Sequence, residues 1–253
     1  MNSTPSIAPT GGATNRVLLG MLTPSSNTIL EPVTTRLVAD IPEASVHFGR
    51  FKVTEIVLSD QALAQFDASA PLAAAELLSH AKVQSIGWSG TSAGWRGFQT
   101  DELLCRLITE RTGVPACTSI LALNELLQRT GVRRLGIVSP YTDDVQARIV
   151  ANYEAIGIAS GGEAHLGIRD NYSFSEVTAN QLREMCRAVA RQKPDAIAIY
   201  CTNLAGAPLA AELEAELGIP IYDTIATVTW KALRQCGVDT RRIHGWGSLF
   251  QEL

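Results

Sequence analysis

"SIGWSGTSAG" (85–94) and "AIAIYCTNLAG" (196–206) share one design: a short apolar run, then a loop of small and hydroxyl- or thiol-bearing residues closing on glycine. Each reads as a buried strand emptying into a loop. Two further pairs repeat in the same order. "VLLGMLTPSSN" (17–27) matches "RLGIVSPYTDD" (134–144), and "TGVPACTSI" (112–120) matches "LGIPIYDTI" (217–225). The chain is therefore read as two similar halves, 16–120 and 121–224. The C-terminal stretch 225–253 is expected to pack back on the first half.

The segments between these strands carry apolar residues at helical spacing. They are "LAAAELLSHAKV" (72–83), "DELLCRLITERTG" (101–113), "ILALNELLQRTG" (120–131), "DDVQARIVANYEAIG" (143–157), "TANQLREMCRAVARQK" (178–193) and "GAPLAAELEAELG" (206–218). "ASVHFGRFKV" (44–53) reads as a further strand. Short apolar strands alternating with helices predict parallel sheets covered on both faces. The expected fold class is α/β, with two pseudo-twofold-related halves, each a parallel sheet flanked by helices. Ligands in such sheets sit beyond the carboxyl ends of the strands, so the active site is placed in the crevice between the halves.

Composition narrows the function classes. The 253 residues include 46% hydrophobic and 18% charged residues, with a net charge of −4 and no basic cluster. Nucleic acid is not an expected partner, because phosphate contacts need grouped Lys and Arg. No apolar stretch approaches the roughly 20 residues that span a bilayer, so no membrane association is expected. Residues 1–15, rich in Ser, Thr, Pro and Gly, read as a flexible tail without the apolar segment of a secretory signal. The five cysteines contain no CxxC pair, and the four histidines lack zinc-like spacing. Neither a metal nor a disulfide framework is expected, and a reduced cytoplasm is the simplest location.

Four strand-end loops would surround the crevice: "TPSSNT", "SGTSAG", "SPYTDD" and "CTNLAG". Small residues there let backbone N–H groups approach an anion. Each loop also has an ordinary reading. Pro24 and Pro140 serve as turn residues, Ser and Thr after strands cap helices, and a lone buried Cys packs as a small hydrophobe. Repetition at matching ends of both halves favours the functional reading. No GxxxxGK[ST] or GxGxxG pattern supports a nucleotide.

On these residues the chain resembles the aspartate/glutamate racemase superfamily, and within it the maleate cis-trans isomerase and arylmalonate decarboxylase branch. "PSSNT" (24–28) is similar to the first loop of the isomerases, and "GTS" (90–92) with "WRG" (95–97) to the decarboxylase. "PYTDDVQAR" (140–148), "CTNL" (201–204) and "GWGSLF" (245–250) are similar to one or both. The resemblance implies a homo-oligomer, no cofactor, and a small dicarboxylic acid as substrate. It also implies a pair of opposed cysteines in the racemases and isomerases. Here Cys201 holds the second-half position, while Gly90 stands at the first.

A single thiol fits a decarboxylase, in which one acid protonates a carbanion on one face. In that reading Cys201 is the acid and Gly90 leaves open space for the substrate. Thr91, Ser92, Tyr141 and the backbone N–H groups of Thr202 and Asn203 hold the retained carboxylate. Pro24 belongs to the first loop of the site. Against it, Arg50 in "FGRFKV" and Asn171 in "IRDNYSF" stand where the decarboxylase has apolar residues. An arginine would clamp a carboxylate and oppose CO₂ loss. Asn27, Tyr141 and Asn171 resemble isomerase residues that hold two carboxylates. Three functions stay open: a lyase, an isomerase or racemase on a maleate-like diacid, and an inactive dicarboxylate-binding accessory protein.

Overall fold

The computed structural model describes residues 16–56, 58 and 68–251. The segment read as a flexible tail lies outside them. Two four-stranded, all-parallel sheets form the molecule. The first contains β1 (Val17–Pro24), β2 (Ala44–Phe51), β3 (Ser85–Trp88) and β4 (Ala116–Thr118), in the order β2-β1-β3-β4. The second contains β5 (Arg134–Ser139), β6 (Ala159–His165), β7 (Ala196–Ile199) and β8 (Ile221–Asp223), in the order β6-β5-β7-β8. The second sheet repeats the topology of the first, strand for strand. This is the α/β, two-half architecture that the repeated motifs predict.

Central strands explain the parallel geometry. Every residue of β3 and of β7 is buried. Helices must therefore cover both faces. They are α1 (Leu30–Val38), α2 (Ser69–His80), α3 (Ala93–Arg96), α4 (Gln99–Thr112) and α5 (Ser119–Arg129) in the first half. Four more follow: α6 (Asp143–Ala155), α7 (Ala179–Ala190), α8 (Ala210–Leu217) and α9 (Thr224–Gln235). Gly113 ends α4 in the left-handed conformation, φ 70°, and donates to the Thr109 carbonyl. Thr178 and Gln181 form a capping box at the start of α7.

Besides the single turn of α3, two longer elements have no counterpart in the sequence reading. Strand β6, "ASGGEAH", is glycine-rich and partly exposed at the edge of its sheet, and its pairing with β5 is irregular between Leu135 and Ile137. It carries no apolar run to announce it. Helix α1 directly follows the first strand-end loop, and Asn27 Oδ1 accepts from Leu30 N at 2.9 Å as the helix begins.

Helix α9 follows the last strand of the second half yet lies on the first sheet. Ser85 Oγ donates to Gln235 Oε1 at 2.7 Å, and Gln235 Nε2 donates to the Ala116 carbonyl at 3.0 Å. Gly87 permits this approach. A Cβ there would stand 2.7 Å from Met21 Sδ and 2.8 Å from Val228 Cγ2. Gly87→Ala is expected to destabilise the protein by about 1–3 kcal/mol, the usual cost of overpacking. Chemical denaturation would read this, and an unchanged midpoint would contradict the packing described.

Candidate active site

The carboxyl ends of β1, β3, β5 and β7 meet at the seam between the sheets. Reciprocal side-chain amides tie them there. Asn27 Nδ2 donates to the Thr202 carbonyl at 2.9 Å and lies 3.3 Å from Thr202 Oγ1. Asn203 Oδ1 accepts from Thr28 N at 3.0 Å and Ile29 N at 3.3 Å, while its Nδ2 donates to the Asn171 carbonyl at 2.6 Å. Thr202 Oγ1 donates to the Ser89 carbonyl at 3.0 Å, and Asn171 Nδ2 to Ser26 Oγ at 2.7 Å. These bonds join three of the loops and the segment carrying Asn171, and the fourth loop is tied in by the Tyr141 hydroxyl, 2.6 Å from Thr91 Oγ1.

Within this frame lies a narrow cavity. Its wall is formed by Pro24, Val53, Ile56, Trp88, Gly90 and Trp95, and by Thr91, Ser92, Tyr141, Asn171, Cys201 and Thr202. The first set is apolar. The second offers neutral hydroxyl, amide and thiol groups. No Lys, Arg, His, Asp or Glu lines it among the described residues.

The structure thus brings together Cys201, Gly90, Pro24, Thr91, Ser92, Tyr141, Asn171 and Thr202 of the residues chosen from sequence. Asn27 and Asn203 are buried beside them, but their side chains are occupied by protein partners. Asn203 still contributes through its backbone N–H, which points at Cys201 Sγ at 3.4 Å. Arg50 is not brought in. It sits on the edge strand β2, pairs with Glu31 at 2.8 Å and donates to the Ser25 carbonyl at 3.0 Å. The expected carboxylate clamp is instead a surface ion pair. A second correction concerns Gly90. The space over it is not open, because the Trp88 indole fills it. A Cβ at 90 would lie 2.1 Å from Trp88 Cζ2.

Several site residues were unread or left between site and core by the sequence. Val53 closes the stretch 44–53 read as a strand, which ends at Phe51, and Ile56 lies just beyond it. Trp88 and Trp95 are bulky apolar residues that sequence places equally well in a core. Phe174 packs edge-on against Tyr141 at 5.6 Å, and Trp95 does so from another side at 5.2 Å. These rings hold the phenol so that its hydroxyl meets Thr91 Oγ1 at 2.6 Å.

Burial governs the proton chemistry. It pushes the Cys201 thiol up to about 12, against the opposing pull of the Asn203 N–H and the Tyr141 hydroxyl. Burial likewise holds the Tyr141 phenol well above its ordinary value, reinforced by the neighbouring thiol. Both groups are protonated at neutral pH. The thiol is thus held in its protonated form. Among the described residues, no cluster of three or more His, Cys, Asp or Glu could hold a metal ion. No described helix is long and apolar enough to cross a membrane.

Comparison with known proteins follows the same lines. The family model for arylmalonate decarboxylase (Amdase) matches residues 37–250. The chain belongs to the arylmalonate decarboxylase family. It is 29% identical over 170 residues to the arylmalonate decarboxylase of Bordetella bronchiseptica, covering 66% of this chain and 71% of that protein. In fold it matches a cysteine-to-alanine variant of the Pseudomonas putida S16 maleate isomerase, solved with maleate. That match has a TM-score of 0.83 at 23% identity and covers 92% of this chain and 97% of the other. It also matches a liganded arylmalonate decarboxylase in which a glycine is replaced by cysteine and a cysteine by serine. There the TM-score is 0.81 at 21% identity, over 94% of this chain and all of the other.

One buried acid beside the loop "GTSAGWRG" (90–97) was also missed. Asp101, on α4, is 2% exposed, and its Oδ2 has no hydrogen-bond partner. Burial raises its carboxyl to about 7, although the Thr118 hydroxyl and the Arg96 charge pull it down. Between its ordinary value of 3.8 and about 7, the folded chain holds a proton that the unfolded chain has lost. The stabilisation is complete below the lower value and is lost as pH rises through the higher one. Asp101→Asn is therefore expected to recover on the order of 2 kcal/mol of the stability lost between about pH 5 and pH 8. Denaturation midpoints at the two pH values check this; an unchanged difference would contradict it.

Proposed function

We propose that the protein is a cofactor-independent decarboxylase of a small malonate-type diacid, with Cys201 as the acid that completes the reaction. The observation that carries this reading is the cavity itself, which holds one buried thiol and no charged side chain among the described residues.

The retained carboxylate accepts hydrogen bonds from the hydroxyls of Thr91, Ser92 and Tyr141 and from the backbone N–H of Thr202, while the Asn203 N–H serves the Cys201 sulfur. The other carboxylate faces the apolar wall of Pro24, Val53, Ile56 and Trp95. A charged carboxylate is poorly solvated there, whereas CO₂ is neutral, so loss of the charge is favoured. The electrons of the breaking C–C bond flow into the retained carboxylate and give an enediolate. The hydroxyls and the Thr202 N–H stabilise the added charge as an oxyanion hole does. The Cys201 thiol then gives its proton to the α-carbon on the single face it can reach. The resulting thiolate accepts hydrogen bonds from backbone N–H groups, beginning with Asn203, until a proton from water restores it. Gly90 supplies no second acid on the opposite face.

The placement of Arg50 supports this reading over the maleate isomerase alternative, since its surface ion pair removes the main objection to CO₂ loss. Asn171 is the observation favouring the alternative, because its amide lines the cavity as a carboxylate-holding residue would. The isomerase scheme also calls for a thiolate nucleophile and a second acid, and the buried protonated Cys201 stands alone.

The test is ¹H NMR with methylmalonate, 2-hydroxy-2-methylmalonate and maleate. The malonates are expected to lose CO₂ and maleate to remain unchanged. Cys201→Ala should lower kcat by about 10³ or more while leaving diacid binding in place. The rate should not fall on the alkaline side through Cys201 below about pH 10. Conversion of maleate to fumarate would establish the isomerase instead. Diacid binding without turnover would leave the accessory-protein reading.

A further inference from the structure

We propose that Trp88 is a specificity-determining wall: its indole, admitted by the absent side chain of Gly90, closes the reaction cavity and restricts it to diacids whose α-substituents are about the size of a methyl or hydroxyl group. This deepens the decarboxylase reading and rests on it.

The geometry is specific. A Cβ built at position 90 would meet Cζ2, Cε2 and Cη2 of Trp88 at 2.1, 2.3 and 2.7 Å. The six-membered edge of the indole therefore lies against the α-carbon of Gly90. Trp88 is 2% exposed and packs on Phe51 with ring centroids 4.9 Å apart. Such contact fixes the ring in place, since closely packed interiors admit one arrangement of a large side chain.

Trp88 also borders a second, larger cavity of about 250 Å³, lined by Phe51, Pro71, Leu104 and Leu107 and by the polar Arg96, Thr100 and Asp101. Trp88 and Ser92 line both cavities. Bordering both, the indole acts as a partition between a small reaction chamber and a roomier one with an apolar side of Phe51, Pro71, Leu104 and Leu107. A phenyl substituent on the α-carbon needs the space that the partition denies. Removing the ring joins the two chambers and gives an aryl group apolar surface to bury.

The same contact couples two positions. A side chain at 90 and the indole at 88 exclude each other. A second thiol at 90 therefore requires a smaller residue at 88, so the Gly90–Trp88 pair sets both the number of acids and the size of substrate.

Two measurements test this, and the first needs no turnover. Gly90→Ala is expected to lower the thermal midpoint by roughly 5 °C in the native background, and to have almost no effect when Trp88→Ala is already present. Equal costs in both backgrounds would overturn the contact. Second, calorimetry on Cys201→Ala and on Cys201→Ala/Trp88→Ala compares phenylmalonate with methylmalonate. The affinity ratio should shift toward phenylmalonate by at least about tenfold when the indole is removed. An unchanged ratio, or equal binding of the two acids with Trp88 present, would overturn the wall. Trp88→Leu repeats both measurements should the alanine variant fail to fold. Failure of the parent reading looks different: the binding ratio shifts as stated, yet native protein releases no CO₂ from methylmalonate.

Discussion

The hydrogen bonds that Asn27 and Asn203 exchange across the seam are the constraint on which the site depends. Each amide comes from a strand-end loop of one half and binds backbone of the other. Both side chains are almost completely buried, so a lost partner would leave a polar group unsatisfied at about 1–3 kcal/mol. The two halves are thereby held in one register, with four strand ends facing one small space. Because these amides are spent on the protein, they do not reach into the cavity. What remains to line it is neutral.

The proposed chemistry rests on that neutrality. A cavity without fixed charge destabilises a buried carboxylate and holds a buried thiol in its protonated form. In the proposed reaction the first effect favours loss of CO₂, and the second makes Cys201 the proton donor. Hydroxyl and N–H donors then act where charge develops rather than where a ground-state carboxylate sits. Opposite the thiol, the Gly90–Trp88 contact removes both a second acid and the space for one. The site's geometry and its proton inventory thus follow from a few contacts at one seam, and the proposed limit on substrate size rests on the same contacts.

Much of this was legible in the sequence because the two halves repeat. The matching of "SIGWSGTSAG" with "AIAIYCTNLAG" placed Gly90 opposite Cys201 without coordinates, and buried strands announced themselves by unbroken apolar runs. Strand β6 did not, since an exposed, glycine-rich edge has no apolar period to read. Arg50 was placed at the correct strand end but not with the correct partner. Its direction is set by Glu31, on a helix that the sequence reading did not identify. The relation between Trp88 and Gly90 was invisible for a different reason. Two residues apart in an extended chain, the two share a face, but the sequence does not say that the indole lies over the glycine rather than away from it. Asp101 lay in a helix whose polar residues all look solvated, and its burial comes from tertiary packing.

The most direct test of the single-acid site is the stereochemistry of one turnover in D₂O. With 2-hydroxy-2-methylmalonate as substrate, the product is lactate carrying a new C–H bond at its α-carbon. Delivery from Cys201 alone should give one enantiomer of lactate, with one deuteron at that carbon and no later exchange. Racemic lactate, or deuterium washing in and out of the finished product, would reveal a second acid or base on the opposite face and contradict the account.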